Sequence, residues 1–141
     1  MLRVFAIALL PLVCGVAASQ EADPVEIIVS ATVTESSLSR NALRAIFGMR
    51  LRNWPNGNRI RVFVLPDRNL TNVVFCKQLL NIYPHQLRLA WDRLVFSGTG
   101  QAPTEVDSEE EMRALVATTA GAIGYLRRSL VNDSVRVLEI Q

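Results

Sequence analysis

The sequence predicts an α/β fold, a mixed β-sheet with helices packed on it. Hydrophobic residues make up 50% and charged residues 20% of the 141-residue chain, a composition typical of a packed globular fold and not of a disordered chain. Short apolar, β-branched segments alternate with segments of helical periodicity in the order β-α-β-α-α-α-β-β. Residues 20–141, which follow an N-terminal leader, are long enough for one hydrophobic core, and we expect them to form one domain.

The first 19 residues have the pattern of a cleaved signal peptide. Arg3 precedes an apolar run, residues 4–13, and small residues follow at 17–19. The run is too short to span a membrane, although a buried N-terminal helix is an alternative interpretation. Cys14 raises the alternative of a lipid anchor, but Val13 stands where such a signal has a small residue. We therefore expect an exported, periplasmic protein with no membrane-spanning segment.

The first elements after the leader are a strand and a helix. Residues 26–31 are apolar at both odd and even positions, which is typical of a strand covered on both faces. A Ser/Thr-rich loop follows, and Ser39 is placed to cap a helix over residues 40–47 that Gly48 ends. That helix has one apolar stripe, formed by Leu43, Ile46 and Phe47.

The middle of the chain predicts a second strand and two more helices. Residues 60–65 form the strand, and the turn at 66–69 leads into a helix over 71–81 with Phe75, Leu79 and Ile82 on one line. Pro84 begins the next helix. Its apolar face is predicted to contain Leu87, Trp91, Leu94 and Val95.

The last third of the chain predicts a helix and two strands. Residues 97–100 form a loop, and Ser108 with Glu111 forms a capping box before a helix that includes Met112, Leu115 and Val116. Gly121 separates this helix from a strand over 122–126. Residues 135–140 alternate between apolar and polar side chains, so we expect a final strand at an edge of the sheet.

Charge is distributed unevenly along the chain. Residues 40–93 contain ten basic and two acidic side chains, a net charge of +8, whereas the segments on either side are acidic. Arginine outnumbers lysine fourteen to one, and its planar fork suits carboxylates and oxyanions. An ordinary solvated surface with ion pairs is the alternative. A net charge of only +2 and an aromatic content of 6% argue against nucleic-acid binding.

The sequence shows no pattern typical of a metal site or an enzyme. Cleavage of the leader leaves Cys76 as the only cysteine, and its apolar neighbours predict a buried, inert thiol. One histidine and one cysteine are too few for a soft-metal site. His85 lies in the first turn of a helix without a placed partner, and no G-x-S-x-G nucleophile motif occurs. We expect no catalytic residues, no metal and no cofactor.

The turn between the second strand and the next helix is the candidate binding site. A helix that begins near Asn69 to Thr71 exposes free backbone N–H groups and the positive end of its dipole. Arg68 lies beside this terminus, and Asn69 and Thr71 have polar side chains that can reach an oxyanion. A simple capped helix with no ligand is the alternative interpretation.

Several segments together resemble the phosphate ABC-transporter substrate-binding proteins, which have the periplasmic binding protein-like fold. The first segment includes Leu38-Ser39, Ile46-Phe47, Gly48 and Trp54, and GAIGYL at 121–126 is similar to a second segment of that family. The resemblance covers about residues 27–126. It implies one lobe of a type II periplasmic binding protein, since members of the family have two lobes that close on an oxyanion and this chain is long enough for one.

The resemblance also locates a ligand loop. The family's phosphate loop reads Arg-x-Asp-Gly-Ser-Gly-Thr before a helix and aligns with residues 65–71. Asp67 and Thr71 match the family pattern, whereas Leu65 replaces its Arg, Asn69 its Ser and Leu70 its second Gly. The resemblance thus implies ligand binding by Asp67 and Thr71, and the helix terminus adds Arg68 and Asn69. The expected ligand-binding residues are therefore Asp67, Arg68, Asn69 and Thr71.

Two functions follow as expectations. The first is a small exported solute-binding protein that holds a phosphate-like oxyanion at this turn and works with an ABC transporter or another envelope protein. The second is a single-lobe protein-interaction module that has lost ligand binding. The arginine excess favours the first function, and the absence of a second lobe favours the second unless two chains pair to form a cleft.

Overall fold

The computed structural model describes residues 23–141, which form a six-stranded sheet with four α-helices. The strands are β1 (Val25–Val29), β2 (Ser37–Leu38), β3 (Arg61–Val64), β4 (Thr104–Glu105), β5 (Ala122–Arg127) and β6 (Arg136–Ile140). The helices are α1 (Arg40–Phe47), α2 (Leu70–Val74), α3 (Pro84–Phe96) and α4 (Glu109–Thr118). The leader expected at residues 1–19 lies outside the described residues.

The sheet is mixed, as the sequence predicts, with the strand order β2-β6-β1-β5-β3-β4. β3 runs parallel to both β4 and β5, so these three strands end at one edge of the sheet, which we name the carboxyl edge. β1 is antiparallel to β5, and its first residue, Val25, lies opposite Arg127 at the same edge. Loops from four strands therefore meet at the carboxyl edge, where ligands bind in open α/β sheets.

The expectation that the final strand lies at an edge is wrong. β6 lies between β2 and β1, because the two residues of β2 pair with Glu139 and Ile140 in parallel. The Ser/Thr-rich segment that the sequence assigns to a loop supplies β2, and the unpredicted β4 closes the opposite side of the sheet. Both are too short to show a hydrophobic period.

The first and last helices begin where their caps predict. Ser39 Oγ accepts a hydrogen bond from the Ala42 N–H at 3.1 Å, and Gly48 ends α1. Ser108 Oγ accepts from the Glu111 N–H at 3.1 Å. Glu111 itself accepts from the Asp107 N–H, so only half of the expected capping box forms.

The two middle helices differ in detail from the prediction. The helix expected over 71–81 consists of α2 followed by a π-helical segment, Phe75–Leu80, which ends at Asn81 in a left-handed conformation with φ of 54°. In α3, Leu87 and Trp91 are buried and Leu94 is half-buried, as expected for an apolar face. Val95 is 49% exposed, so its assignment to that face is wrong.

An aromatic cluster lies at the centre of the core. The rings of Phe75 and Tyr125 stack with centroids 3.8 Å apart, and Phe47 meets Phe75 edge-on at 4.7 Å. Trp91 joins α3 to this cluster by donating its indole N–H to the Phe47 carbonyl at 2.8 Å. The apolar positions predicted from the sequence that are buried include Leu43, Phe47, Phe75 and Trp91, while Leu79 and Leu115 are half-buried against the core. Ile123, in the predicted strand over 122–126, is fully buried.

Two further expectations concern Cys76 and the membrane. Cys76 is a buried free thiol, and burial raises its pKa to about 12, which makes it inert near neutral pH. Within residues 23–141, the helices are too short or too polar to cross a membrane.

Candidate functional site

The predicted binding turn lies at the carboxyl edge of the sheet. β3 ends at Val64, and residues 66–69, here named the β3–α2 turn, lead directly into α2. The Asn69 N–H donates to the Pro66 carbonyl at 3.0 Å and closes the turn. The sequence predicts this position because a proline-led polar turn follows an apolar strand, and that local pattern is sufficient.

Asn69 is the N-cap of α2. Its side-chain oxygen Oδ1 accepts hydrogen bonds from the backbone N–H groups of Thr71 at 2.9 Å and Asn72 at 3.2 Å. Two amide donors therefore converge on one point in space, and an uncharged oxygen of the same chain lies at that point. This arrangement satisfies the helix terminus without a ligand, as a capped helix does.

Asp67 forms a bidentate ion pair with Arg88 of α3. Arg88 Nε and Nη2 lie 2.6 and 2.9 Å from the two carboxylate oxygens, and Nη2 also lies 3.1 Å from a carboxylate oxygen of Glu105. The hydrogen bond to Asp67 is the main cause that raises the pKa of Arg88. Arg88 thus joins the β3–α2 turn, α3 and the end of β4. The Asp67 carboxylate is held by a cation that the sequence analysis did not single out.

Arg68 and Thr71 differ in their exposure to solvent. The Arg68 side chain is exposed, and it forms no ion pair with a carboxylate of residues 23–141. Thr71 is 6% exposed and lies in the first turn of α2. The four predicted residues thus lie within five consecutive positions, but Asp67 is paired with Arg88 whereas Arg68 is exposed to solvent.

A cleft of about 410 Å³ opens beside the α2 terminus. Asn69 and Thr71 line it together with three charged groups, Asp23, Glu109 and Arg127. Glu109 is only 8% exposed, and its carboxylate accepts from the Arg127 backbone N–H at 3.0 Å and from its guanidinium at 2.8 Å. The hydrogen bond between the Glu109 carboxylate and the Arg127 guanidinium raises the pKa of Arg127.

The third charged group of the cleft, Asp23, is held by Ser129. The Ser129 hydroxyl and the Ser129 N–H both donate to its carboxylate, and these hydrogen bonds lower the pKa of Asp23. The cleft is therefore lined by two carboxylates and one guanidinium, a balance less cationic than the arginine content of the chain suggests. Arg127 could have been found from the sequence, because it directly follows an apolar strand, as the turn does.

A buried hydrogen-bond network fixes the turn to the sheet. The Tyr125 hydroxyl donates to Asn72 Oδ1 at 2.6 Å and accepts from the Leu65 N–H at 2.8 Å. Asn72 Nδ2 in turn donates to the Asp67 carbonyl at 3.5 Å, and burial raises the pKa of Tyr125. The phenol therefore connects β5, the end of β3 and the first turn of α2, so the α2 terminus has a defined position.

The part of the chain that the structure describes contains no group of three or more His, Cys, Asp or Glu side chains arranged to hold a metal ion.

Solved structures with a similar fold include phosphate-transport receptors. An ABC-type phosphate transport receptor from Vibrio cholerae matches with a TM-score of 0.66 and 19% identity. A phosphate ABC transporter substrate-binding protein from Clostridium perfringens, solved with bound phosphate, matches with a TM-score of 0.68 and 20% identity. PstS from Borrelia burgdorferi matches with a TM-score of 0.66 and 17% identity. No family model and no curated protein matches the sequence.

These matches confirm the fold expected from the resemblance. Each covers 84% of this chain but only 45–47% of the receptor, so the chain spans about half the length of its structural neighbours. The described residues have the α/β fold of one lobe of such receptors. The neighbours from Vibrio cholerae and Clostridium perfringens are transport proteins.

Proposed function

We propose that this protein is an exported single-lobe solute-binding protein that holds a phosphate-like oxyanion at the β3–α2 turn. The observation that supports the proposal most is the convergence of the Thr71 and Asn72 N–H groups on one point, 2.9 and 3.2 Å from Asn69 Oδ1. An oxyanion oxygen at that point would accept both hydrogen bonds and gain from the helix dipole. The aligned phosphate loop of the resembled family supports the same position.

In the proposed binding step, an oxygen of the anion replaces Asn69 Oδ1 as the hydrogen-bond acceptor. The carboxamide of Asn69 rotates away, and an oxygen of the anion accepts from Thr71 and Asn72 in its place. The exposed Arg68 guanidinium, which has no carboxylate partner among residues 23–141, supplies the charge. The exchange loses a side-chain cap that contributes about 1 kcal/mol, so the affinity is expected to be low.

Charge at the cleft sets a further limit on the affinity. Asp23 and Glu109 repel an anion, and Arg127 is already paired with Glu109. The proposed anion therefore lies on the side of the terminus that Arg68 can reach. Export by a cleaved signal peptide and an ABC transporter or another envelope protein as partner belong to the same proposal, and they rest on the leader pattern and the fold of the neighbours.

Calorimetric titration of the protein with phosphate and sulfate tests the proposal. Arg68→Ala removes a hydrogen bond to a charged group that contributes about 1.5–3 kcal/mol, so the dissociation constant should rise about tenfold to a hundredfold. Thr71→Val, which replaces the hydroxyl by a methyl group of similar size, should also weaken binding. Arg61→Ala is the matched control, because it removes the same charge from an exposed position at the other end of β3.

Asn69→Gly is expected to change the phosphate affinity in the opposite direction. Glycine removes the internal competitor, and its N-cap preference is close to that of Asn, so the helix loses only a few tenths of a kcal/mol. Phosphate should bind this variant more tightly than it binds the unaltered protein. Equal affinities in all four variants would contradict the site, and no binding at millimolar anion would contradict the function.

The second candidate function is a protein-interaction module without a ligand. Occupation of the two amide donors by Asn69 and the presence of Asp23 and Glu109 in the cleft favour it. If neither the unaltered protein nor the Asn69→Gly variant binds an oxyanion, the interaction module is the supported function.

A further inference from the structure

A second surface, distant from the β3–α2 turn, has the chemistry of a docking groove. A cleft of about 460 Å³ lies between the end of α1, the end of the π-helical segment and α3. α2 begins at the carboxyl edge and the π-helical segment continues from it through Leu80, so the cleft lies at the opposite end of this helical stretch from the turn. Its floor is apolar and consists of Leu80, Ile82, Leu87, Ala90 and Leu94.

Three arginines surround this floor. Arg44 and Arg50 line it on the α1 side, and Arg93 lines it on the α3 side. None of the three forms an ion pair with a carboxylate of residues 23–141. Gly48 lies between the first two, and a Cβ there would be 2.9 Å from the Arg44 carbonyl oxygen and 3.5 Å from Arg50 Nε, so a side chain would crowd this wall. We name this surface the arginine groove.

The cations along one side of the groove are held in place. Arg44 Nε donates to the Leu80 carbonyl at 2.8 Å, and Arg40, one helical turn earlier, donates to the Gln78 carbonyl at 2.8 Å. These bonds fix the guanidinium groups of two residues that lie one helical turn apart on α1, while leaving further N–H donors on each. The positive charge therefore extends beyond the groove in a row, instead of forming one point for a single anionic head group.

We propose that the arginine groove binds an acidic amphipathic helix of a partner protein. An apolar floor receives the leucine-like face of such a helix, and arginines on both walls pair with the acidic residues that flank that face. Residues 40–93 carry a net charge of +8, and of their ten basic side chains only Arg88 is paired with carboxylates of residues 23–141. This charge is complementary to an acidic partner. This proposal is independent of oxyanion binding at the β3–α2 turn.

Fluorescence anisotropy with a labelled peptide tests it. The probe is a peptide of about 16 residues with leucines at i, i+3, i+4 and i+7 and glutamates at the flanking positions. Arg50→Glu/Arg93→Glu should weaken its binding at least tenfold. Arg59→Glu/Arg61→Glu, which reverses two exposed arginines outside the groove, should weaken it by less than threefold, and equal losses would overturn the proposal as general charge attraction.

A second pair of variants tests the apolar floor without changing charge. Ala90→Trp fills the groove and should reduce peptide affinity at least tenfold, whereas Leu89→Trp, at a 53% exposed position on the same helix, should not. Circular dichroism confirms that each variant is folded. Absence of peptide binding, with dodecanoate bound instead, would overturn the proposal in favour of a lipid-chain site. Self-association that the groove variants abolish would overturn it in favour of a second copy of the chain.

Discussion

Tyr125→Phe tests how the β3–α2 turn is held. The substitution removes one hydroxyl and no carbon, so the stacking of this ring on Phe75, with centroids 3.8 Å apart, is retained. Two buried groups lose a partner, the Leu65 N–H at 2.8 Å and Asn72 Oδ1 at 2.6 Å. Leu65 and Asn72 are 1% and 4% exposed, so bulk water does not replace the hydroxyl.

The magnitude follows from these two groups. A buried polar group without a partner costs about 1–3 kcal/mol, and Asn72 Oδ1 retains only the weak Cys76 thiol contact at 3.8 Å. Loss of the phenol also removes the cost of desolvating it. We therefore expect the free energy of unfolding to fall by about 2–3 kcal/mol.

Urea unfolding followed by circular dichroism measures this change at constant m-value. Tyr83→Phe is the matched control, since the same hydroxyl is removed from a residue that is 54% exposed, and it should change stability by less than about 0.5 kcal/mol. A loss for Tyr125→Phe as small as that of the control would refute the structural role of the network.

Three further predictions concern the core, a turn and pH. Phe47→Ala should reduce the free energy of unfolding by about 3–5 kcal/mol, because the ring is fully buried, and a loss below 1 kcal/mol in urea would show that the α1 stripe is misplaced. Gly121→Ala should lower the thermal unfolding temperature more than Gly57→Ala. Both glycines have positive φ, of 72° and 88°, but only at Gly121 would the Cβ lie close to a backbone atom, 2.3 Å from the Arg59 oxygen. Since burial raises the pKa of Cys76 from 9.0 to about 12, the unfolded chain loses this proton first, and stability should fall above pH 9 by up to about 1.4 kcal/mol per pH unit. Cys76→Ala should reduce that slope, and an unchanged slope would contradict the assignment of the proton to this thiol.

Elements with a complete local pattern could be predicted from the sequence. α1 has its cap at Ser39, its apolar stripe and its terminating Gly48 within ten consecutive residues, and the structure confirms all three. The interior position of β6 could not be predicted, because it depends on pairing with β2, a strand of two residues on another part of the chain. Val95 fits a helical period but lies outside the contact of α3 with the core, and only packing decides that.

The candidate site likewise has features that could be predicted from local sequence and features that could not. The β3–α2 turn and its cap at Asn69 follow from local sequence, whereas the groups that determine its charge and position come from distant residues. Arg88 lies 21 residues from its partner Asp67, and Tyr125 lies 60 residues from Leu65. Such partners have no fixed spacing, so the sequence predicts the turn and its cap but not that carboxylates line the adjoining cleft.

Amide chemical shifts in a phosphate titration test the central claim most directly. The protein is labelled with ¹⁵N, and phosphate is added at constant ionic strength, with chloride as the reference anion. The account predicts saturable shifts centred on the Thr71 and Asn72 amides, at lower phosphate concentration in Asn69→Gly and at higher concentration in Arg68→Ala. Shifts that are absent from these two amides in all three proteins, or that chloride reproduces, would contradict it.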